Sequence, residues 1–322
     1  MLKRTTKLLP LLQRRFYPEA FPKPLPETTS EILAAWINTP KYQTLTDTLS
    51  ADRLSDLYIT LPTRDGSKKP YEPPPKLSEP LPYGSHFVFF HPRNPDRVLR
   101  HDGADGEFCP PPPYSRRMWA GGSITWDNDN PLLVGKNAVS SATVPSVEEK
   151  VYQSTTLVYV TQNIEITMEG KTRPSVVEQR SHAYSAAHTE AGRLPREFRG
   201  LPTTFDFTFK FTPTPTMLFR FSALTFNAHQ IHLDGNYARL KEGYKERLVH
   251  GPLTALMMLE AVRLERPDAR FTSFNYRARN PLVVNRAISI NGVWQDENTV
   301  ELWCVDRAGV VGMTGFLELV PK

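Results

Sequence analysis

Cysteine and long apolar runs are the features that this sequence has least of. Its 322 residues include two cysteines, Cys109 and Cys304. Two thiols cannot form a disulfide framework or a cysteine-based zinc site. No segment approaches the roughly 20 consecutive apolar residues of a membrane-spanning helix. The 17 glycines follow no three-residue period, which excludes a collagen-like chain. The sequence therefore predicts a soluble globular protein without a membrane span, long enough for two hydrophobic cores.

Acidic residues are absent from the first 17 positions, where the basic residues are Lys3, Arg4, Lys7, Arg14 and Arg15. Without these five, the 39 basic residues fall to 34, which equals the 34 acidic residues. The neutral remainder argues against a nucleic-acid-binding face. Basic residues that alternate with leucines and lack acids are typical of a mitochondrial transit peptide. We therefore predict a transit peptide over residues 1–17 and a location in the mitochondrial matrix; a disordered basic tail is the alternative.

Proline is frequent, with 30 residues, and it marks the organisation of the chain. Residues 18–85 are predicted to form a Pro-rich N-terminal linker with short helices, including a helical pattern over 30–49 that Pro40 splits. Strand patterns dominate afterwards, over 86–90, 116–126 and 157–168 and then 205–211, 217–224, 270–277, 287–294, 299–305 and 310–319. One helix is predicted in the second half, over 252–265. Because it is apolar on all sides, it should be fully buried.

A repeat relates the two halves. Residues 131–136 (PLLVGK) match residues 281–286 (PLVVNR), and similar strands precede and follow each copy. This order of features favours a duplication. An antiparallel sheet around a buried helix is a hotdog unit. We predict an α+β double hotdog, with a degenerate first unit at 86–195 and a catalytic second unit at 196–322. A homo-oligomer stays open, because the interface of single hotdog dimers is already internal.

The polar cluster after residue 221 carries the chemistry. Asn227, His229 and His232 lie shortly before His250 and Gly251, which open the predicted helix. A helix start offers unpaired backbone N–H groups, and glycine allows a ligand to approach closely. Such amides suit the oxyanion of a thioester enolate, and a nearby imidazole can move a proton at the adjacent carbons. The cluster predicts addition or removal of water across the α,β bond of an acyl thioester.

Residues 222–232 resemble the hydratase-2 motif of MaoC-like (R)-specific enoyl-CoA hydratases. The match places the family's His at His232, its Asp at Asn227 and its following Asn at His229. Together with residues 250–253 and 116–122, the chain resembles the mitochondrial hydroxyacyl-thioester dehydratase type 2 branch, with the related FAS1-like dehydratases and mesaconyl-CoA hydratases. The resemblance covers about residues 80–320.

The asparagine at position 227 departs from the family pattern, because an amide cannot act as a general base. The resemblance then implies that His232 transfers the proton and that Asn227 orients water or the substrate hydroxyl. His229 is either an orienting residue or a turn residue at the surface. His250 and Gly251 form the helix entry that binds substrate, although His250 could simply hydrogen-bond the backbone there.

Two further assignments concern phosphate and metal. Arg277 is a candidate partner for the phosphates of CoA or of a carrier's phosphopantetheine; an exposed strand charge is the alternative. No metal is predicted, because the histidines lack acidic or cysteine ligands at a recognisable spacing. No cofactor motif is present either.

The predicted function is (R)-3-hydroxyacyl-thioester dehydratase, reversible as a hydratase, acting on acyl chains carried by acyl carrier protein or CoA in mitochondrial fatty-acid synthesis. The nearest rival function is a hydratase for a short dicarboxylic thioester such as mesaconyl-CoA, which needs a cation such as Arg116, Arg117 or Arg277. A thioesterase, or a hotdog protein that binds thioesters without catalysis, would also suit this fold.

Overall fold

The computed structural model describes residues 29–152, 155–186 and 195–321. The transit peptide predicted over 1–17 lies outside the described residues. The helices are α1 (Thr29–Asn38), α2 (Ala51–Tyr58), α3 (Pro215–Leu224), α4 (Gln230–Leu233) and α5 (Gly251–Glu265). The strands are β1 (Tyr42–Thr48), β2 (Arg116–Trp126), β3 (Asn137–Tyr152), β4 (Thr155–Met168), β5 (Val176–Ser185), β6 (Phe207–Phe211), β7 (Phe271–Ala278), β8 (Ile288–Trp294), β9 (Thr299–Asp306) and β10 (Val311–Leu319).

The ten strands form one antiparallel sheet in the order β1-β3-β4-β5-β2-β7-β10-β9-β8-β6. Five strands come from each half, and the order of the first half is repeated in reverse by the second. The halves meet where β2 pairs with β7. Gly121 lies at this seam with φ of +150°, and a Cβ there would lie 2.5 Å from the Tyr276 carbonyl oxygen. The topology confirms the double hotdog, and the sheet is continuous across the seam.

Helix α5 is the centre of the second half. Every residue from Leu253 to Val262 is buried, as the all-round apolar pattern predicts. Pro252 occupies the first turn, where a missing N–H costs no hydrogen bond. Each fully buried leucine or methionine stabilises the fold by about 1.5–3 kcal/mol before entropy is subtracted. The start of this helix is therefore held rigidly against the sheet.

The first half has a 3₁₀ turn, Ser85–Val88, in the corresponding place. The strand predicted over 86–90 is therefore wrong. Gly84 precedes the turn with φ of +78°, and a Cβ there would lie within 3 Å of the Leu256 and Leu259 side chains. The turn thus packs on α5 of the other half. The first half therefore has a four-residue turn where the second half has the 15-residue helix α5.

Two other predictions need correction. The strand predicted over 217–224 is helix α3, whose start is capped by the Thr214 hydroxyl accepting from the Met217 N–H at 3.1 Å. The segment 18–85, predicted as a linker, contains β1, which pairs with β3 along its whole length. The first hotdog therefore begins well before residue 86. The strands predicted at 116–126 and from residue 270 onward are confirmed.

A buried ion pair links α5 to the segment that follows α2. The Arg64 guanidinium donates to both oxygens of Glu260, at 2.7 Å from Nε and 2.6 Å from Nη2. The Thr63 hydroxyl donates to the same carboxylate at 2.9 Å. Burial alone would raise the pKa of Glu260, but Arg64 outweighs it and the pKa is lowered. The pair holds the first half against the helix that positions the site.

Candidate functional site

A cavity of about 820 Å³ lies between the two halves of the molecule. Side chains of β3 and β4, among them Ala142, Leu157, Ile164 and Ile166, form an apolar wall on the side of the first half. The histidine cluster and the start of α5 line the same cavity from the second half. The site is thus built from both halves.

His232 lies on α4 with its orientation set by the backbone. Its Nδ1 is 2.8 Å from the Leu248 carbonyl oxygen, so Nδ1 carries the proton and donates. Nε2 is left unprotonated, with no hydrogen-bond partner among the described residues, and the side chain lines the cavity. Burial lowers the pKa of His232 to about 4, and Arg117 adds to this while the Leu248 hydrogen bond opposes it. At neutral pH the side chain is therefore an uncharged base.

His250 packs against one face of the His232 ring. The two rings are stacked with centroids 3.7 Å apart. His250 is buried, and its Nε2 lies 2.9 Å from the Ser222 hydroxyl oxygen. The ring therefore bonds a side chain of α3, where the sequence suggested a backbone partner. Burial lowers the pKa of His250. Protonation of the neighbouring His232 or His229 would lower it further. His250 is a rigid, neutral support.

Asn227 and His229 form a turn before α4. The Asn227 side-chain oxygen accepts the His229 backbone N–H at 3.1 Å, which leaves the amide NH₂ as its free donor. His229 is buried and lines the cavity, with its ring centroid 5.6 Å from that of His232. The alternative of an exposed turn residue is therefore excluded. Burial first, and Arg117 second, lower the pKa of His229.

Asp102 is a site neighbour that sequence reasoning missed. Its Oδ2 lies 3.7 Å from Nε2 of His229, and its backbone oxygen accepts the Gln230 N–H at 2.8 Å. The adjacent Gly103 has φ of +80°, and a Cβ there would lie 2.3 Å from the Ala228 carbonyl oxygen. A loop of the first half therefore packs directly on the motif of the second. An Asp-Gly pair signals a turn, but nothing local signals this contact.

Gly251 opens α5 beside the cavity, as predicted, and its N–H has no partner among the described residues. The reason for the glycine differs from the prediction. A Cβ there would lie 2.6 Å from Cγ of Trp119, so the indole requires the glycine. Trp119 also contacts His182 edge to face, with centroids 5.2 Å apart. The indole therefore shapes the cavity between the helix start and the first half.

A second polar cluster lies in the first half and was not predicted. Glu178 is fully buried and accepts two hydrogen bonds from Arg180, both at 2.8 Å, while His86 Nε2 lies 3.3 Å away. Burial alone would raise the pKa of Glu178, but these partners lower it to about 2. His182 beside them is neutral, because burial and two arginines lower its pKa. Glu178 and Arg180 neutralise each other.

Arg277 lies on β7 with its side chain exposed at the rim of the cavity. Arg279 lines the same rim, and its pKa is lowered by burial and by the charge of Arg277. Arg116, by contrast, is tied to Glu242, with 3.0 Å between Nε and Oε2. Among the described residues, no three His, Cys, Asp or Glu side chains are arranged to hold a metal ion. Nor does the described part of the chain contain a helix both long and apolar enough to cross a membrane.

Comparison with known proteins gives matches over most of the chain. A family model described as hydroxyacyl-thioester dehydratase type 2 matches residues 84–284. The mesaconyl-C(4)-CoA hydratase of Chloroflexus aurantiacus is 37% identical over 220 residues, which are 66% of this chain and 75% of that protein. The mitochondrial hydroxyacyl-thioester dehydratase type 2 of Schizosaccharomyces pombe is 28% identical over 244 residues, which are 68% of this chain and 81% of that protein.

Solved structures share the fold. A MaoC-like dehydratase from Phytophthora capsici superposes with a TM-score of 0.63 at 17% identity, covering 92% of this chain and 99% of that chain. HtdX of Mycobacterium tuberculosis superposes with a TM-score of 0.57 at 15% identity, covering 86% of this chain and 100% of that chain. At these identities the likeness concerns the fold, and it confirms the hotdog architecture.

Proposed function

The chain belongs to the hydroxyacyl-thioester dehydratase type 2 family, and from this premise we propose that it removes water from (R)-3-hydroxyacyl thioesters. The product is the trans-2-enoyl thioester, and the reverse reaction is a hydration. Relatives named as a hydratase and a dehydratase make the protein a hydro-lyase. The observation that carries the proposal is the unprotonated Nε2 of His232, a side chain that lines the same cavity as the start of α5.

In the direction of dehydration, His232 Nε2 takes the proton from C2 of the acyl chain. The electron pair of the C2–H bond delocalises into the thioester carbonyl, and the Gly251 N–H donates to the resulting enolate oxygen. The pair then forms the C2–C3 double bond as the C3–O bond breaks. The departing oxygen receives the proton from His232, so water leaves and the imidazole is neutral again. A pKa of about 4 makes the imidazolium a strong acid for this last transfer.

Asn227 has a separate part in this scheme. Its oxygen is occupied by the His229 N–H, so its NH₂ group is available to donate to the C3 hydroxyl or to the attacking water. The amide orients the oxygen, and the proton is moved by His232 alone. This division explains how the site functions without the carboxylate that the family motif has at this position.

Replacement of His232 tests the proposal. His232→Gln should lower the turnover of crotonyl-CoA, followed by loss of enoyl absorbance, by about 10²–10⁴-fold. His101→Ala is the matched control, because this histidine is exposed and does not line the cavity. Both variants should unfold at the temperature of the wild type. Unchanged turnover in His232→Gln would remove the assignment, and release of free thiol would indicate a thioesterase.

The carrier and the compartment belong to the same proposal. We propose acyl carrier protein as the carrier of the acyl chain, in mitochondrial fatty-acid synthesis; the compartment is supported by the mitochondrial relative from S. pombe and by the basic first 17 residues. The apolar wall of the cavity suits an acyl chain. Turnover of the same 3-hydroxyacyl group on carrier protein and on CoA, compared by kcat/KM, tests the carrier. Fusion of residues 1–17 to a fluorescent protein tests the compartment.

A further inference from the structure

Three polar side chains of the first half lie together on the wall of the cavity. Arg180 and His182 lie on β5, and Gln162 of β4 is the register partner of Arg180. All three line the cavity, although Gln162 and His182 are only 8% exposed. We call these three residues the polar patch. The proton transfer proposed above uses none of them.

The polar patch has hydrogen-bonding groups that the protein itself does not use. The Gln162 amide forms no hydrogen bond with any described residue, and its atoms stay open to the cavity. His182 forms none within the described residues either, and its Nδ1 is buried. Arg180 donates to Glu178 from Nε and Nη2, which leaves Nη1 without a partner in the described part of the chain. Because buried polar groups without partners are costly, a ligand that supplies partners would stabilise the patch.

The second half has apolar residues under a helix in the corresponding place. In the repeated strand order, β9 and β10 correspond to β4 and β5. Their residues Leu302, Cys304, Met313 and Leu317 are buried in the core that includes α5. The first half has only the turn Ser85–Val88 in place of that helix. The polar patch therefore has no packing role beneath a helix, and it faces the cavity.

Trp119 connects the polar patch to the start of α5. Its Cγ lies 2.6 Å from the position of a Cβ at Gly251. Its ring centroid lies 5.2 Å from that of His182 and 4.8 Å from the guanidinium carbon of Arg180. The indole thus contacts both the helix start and the patch. A ligand whose thioester oxygen lies at the Gly251 N–H reaches the patch with atoms several bonds further along its chain.

The apolar wall of the cavity continues from the polar patch. Ile164 follows Gln162 by two positions on β4, so the two side chains lie on the same face of the sheet. Ile166 is the next residue on that face, and both isoleucines line the cavity. A ligand that contacts the wall and the patch together has an apolar chain with a polar group on it. An acyl chain with such a group meets this description.

We infer that the polar patch binds an uncharged oxygen function, a hydroxyl or a carbonyl, that the acyl chain carries beyond C3. The inference rests on the proposed function and narrows its substrate class to oxygenated acyl thioesters. The Gln162 amide can donate and accept, and Nη1 of Arg180 can donate. A carboxylate is disfavoured, because Glu178 already accepts two hydrogen bonds from Arg180, both at 2.8 Å, and neutralises its charge.

Binding of acyl-CoAs that cannot react tests the inference first. The probes are saturated acyl-CoAs of four, six and eight carbons, each with and without a hydroxyl on the terminal carbon. None has a C3 hydroxyl or a C2–C3 double bond, so none is turned over. By isothermal titration calorimetry the wild type should bind the hydroxylated probe about fivefold more tightly, or better, at one or more of these lengths. No preference at any length would overturn the inference, and so would tighter binding of the probe that ends in a carboxylate.

Gln162→Leu removes the amide and replaces it with an apolar side chain. This variant should lose the preference and bind the unsubstituted probe as tightly as the wild type or more tightly, a result that misfolding cannot produce. Gln179→Leu is the matched control, because this glutamine is exposed on β5 and does not line the cavity; it should keep the preference. An equal loss of affinity for both probes in Gln162→Leu, at an unchanged melting temperature, would indicate that the patch binds the pantetheine arm, and the inference would be wrong.

Kinetics separate this inference from the proposed function. At the chain length preferred in calorimetry, the wild type should have a higher kcat/KM for the trans-2-enoyl-CoA with a terminal hydroxyl than for the one without. Gln162→Leu should reverse this order. If the wild type turned over neither thioester, the proposed function would fail, while the calorimetric preference would still decide what the polar patch binds.

Discussion

His232 and His250 lie face to face, with ring centroids 3.7 Å apart and ring planes inclined by 22°. Nδ1 of His232 is bonded to the Leu248 carbonyl oxygen, whereas His250 is buried and bonds Ser222 through Nε2. Stacking against a neutral ring keeps water from one face of His232. Burial of the His232 ring makes its protonation costly, and the charge of Arg117 adds to that cost.

The pH dependence of catalysis follows from the burial of His232. With the pKa of His232 lowered to about 4, the acid limb of kcat/KM should lie near pH 4, well below the ordinary value of 6.5. Turnover of crotonyl-CoA measured between pH 3.5 and 8, with stability checked at each pH by circular dichroism, reports this limb. An acid limb near 6.5 would contradict a desolvated His232.

Stability should depend on pH in the same range. The unfolded chain protonates His232 near pH 6.5, whereas the folded chain does so near 4, so the unfolded state binds more protons between these values. The free energy of unfolding should therefore fall as the pH is lowered from 6.5 toward 4. His229 and His250 contribute in the same direction, because their pKa values are also lowered. Urea titrations at several pH values measure the slope, and His250→Phe should reduce it.

The substitution Asn227→Asp returns the carboxylate of the family motif. Its oxygen can still accept the His229 N–H, so the turn should persist. A negative charge beside the imidazoles should raise their pKa values and move the acid limb of kcat/KM to higher pH. Asn227→Ala is the companion variant. Its turnover should fall about tenfold or more, because the C3 oxygen of the substrate loses the amide donor that orients it. If the acid limb of kcat/KM did not move in Asn227→Asp, a charge at position 227 would have no effect on the pKa of His232.

Contact between Gly251 and Trp119 predicts a steric effect. Gly251→Ala places a Cβ 2.6 Å from the indole, and overpacking of this kind typically costs about 1–3 kcal/mol of stability. The helix start should shift and turnover should fall. Adding Trp119→Leu should restore the melting temperature, because the smaller side chain makes room. If Gly251→Ala alone unfolds like the wild type, the indole does not pack where the structure places it.

The buried pair of Arg64 and Glu260 predicts a large loss of stability. Glu260→Ala leaves Arg64 charged and buried, which typically costs about 3–5 kcal/mol. The exposed pair of Arg199 and Glu197 provides the control, and Arg199→Gln should change the free energy of unfolding by less than about 1 kcal/mol. Guanidinium denaturation measures both. If Glu260→Ala changed the free energy of unfolding as little as Arg199→Gln does, the ion pair of Glu260 would not hold the two halves together.

Local sequence patterns predicted much of the fold correctly. They failed where one pattern is compatible with both a strand and a helix. The all-round apolar residues of α5 and the alternating strands after residue 270 were predicted with nearly the observed bounds. The segment of α3 was predicted as a strand because its apolar residues alternate over a short run. The deciding feature was the start of the helix, where Thr214 caps the chain ahead of Pro215.

What the sequence determined by itself is therefore the duplicated architecture, the buried helix and the residues of the motif, all of which follow from periodicity and from short segments. Tertiary structure alone decided that Asp102 faces His229, that Trp119 lies on Gly251 and that Arg117 has no partner among the described residues, while the other cavity arginines Arg116, Arg180 and Arg286 are paired. The contacts of Asp102 and Trp119 join residues more than 100 positions apart. Whether a charge is neutralised or a histidine desolvated depends on which distant groups the chain brings beside it.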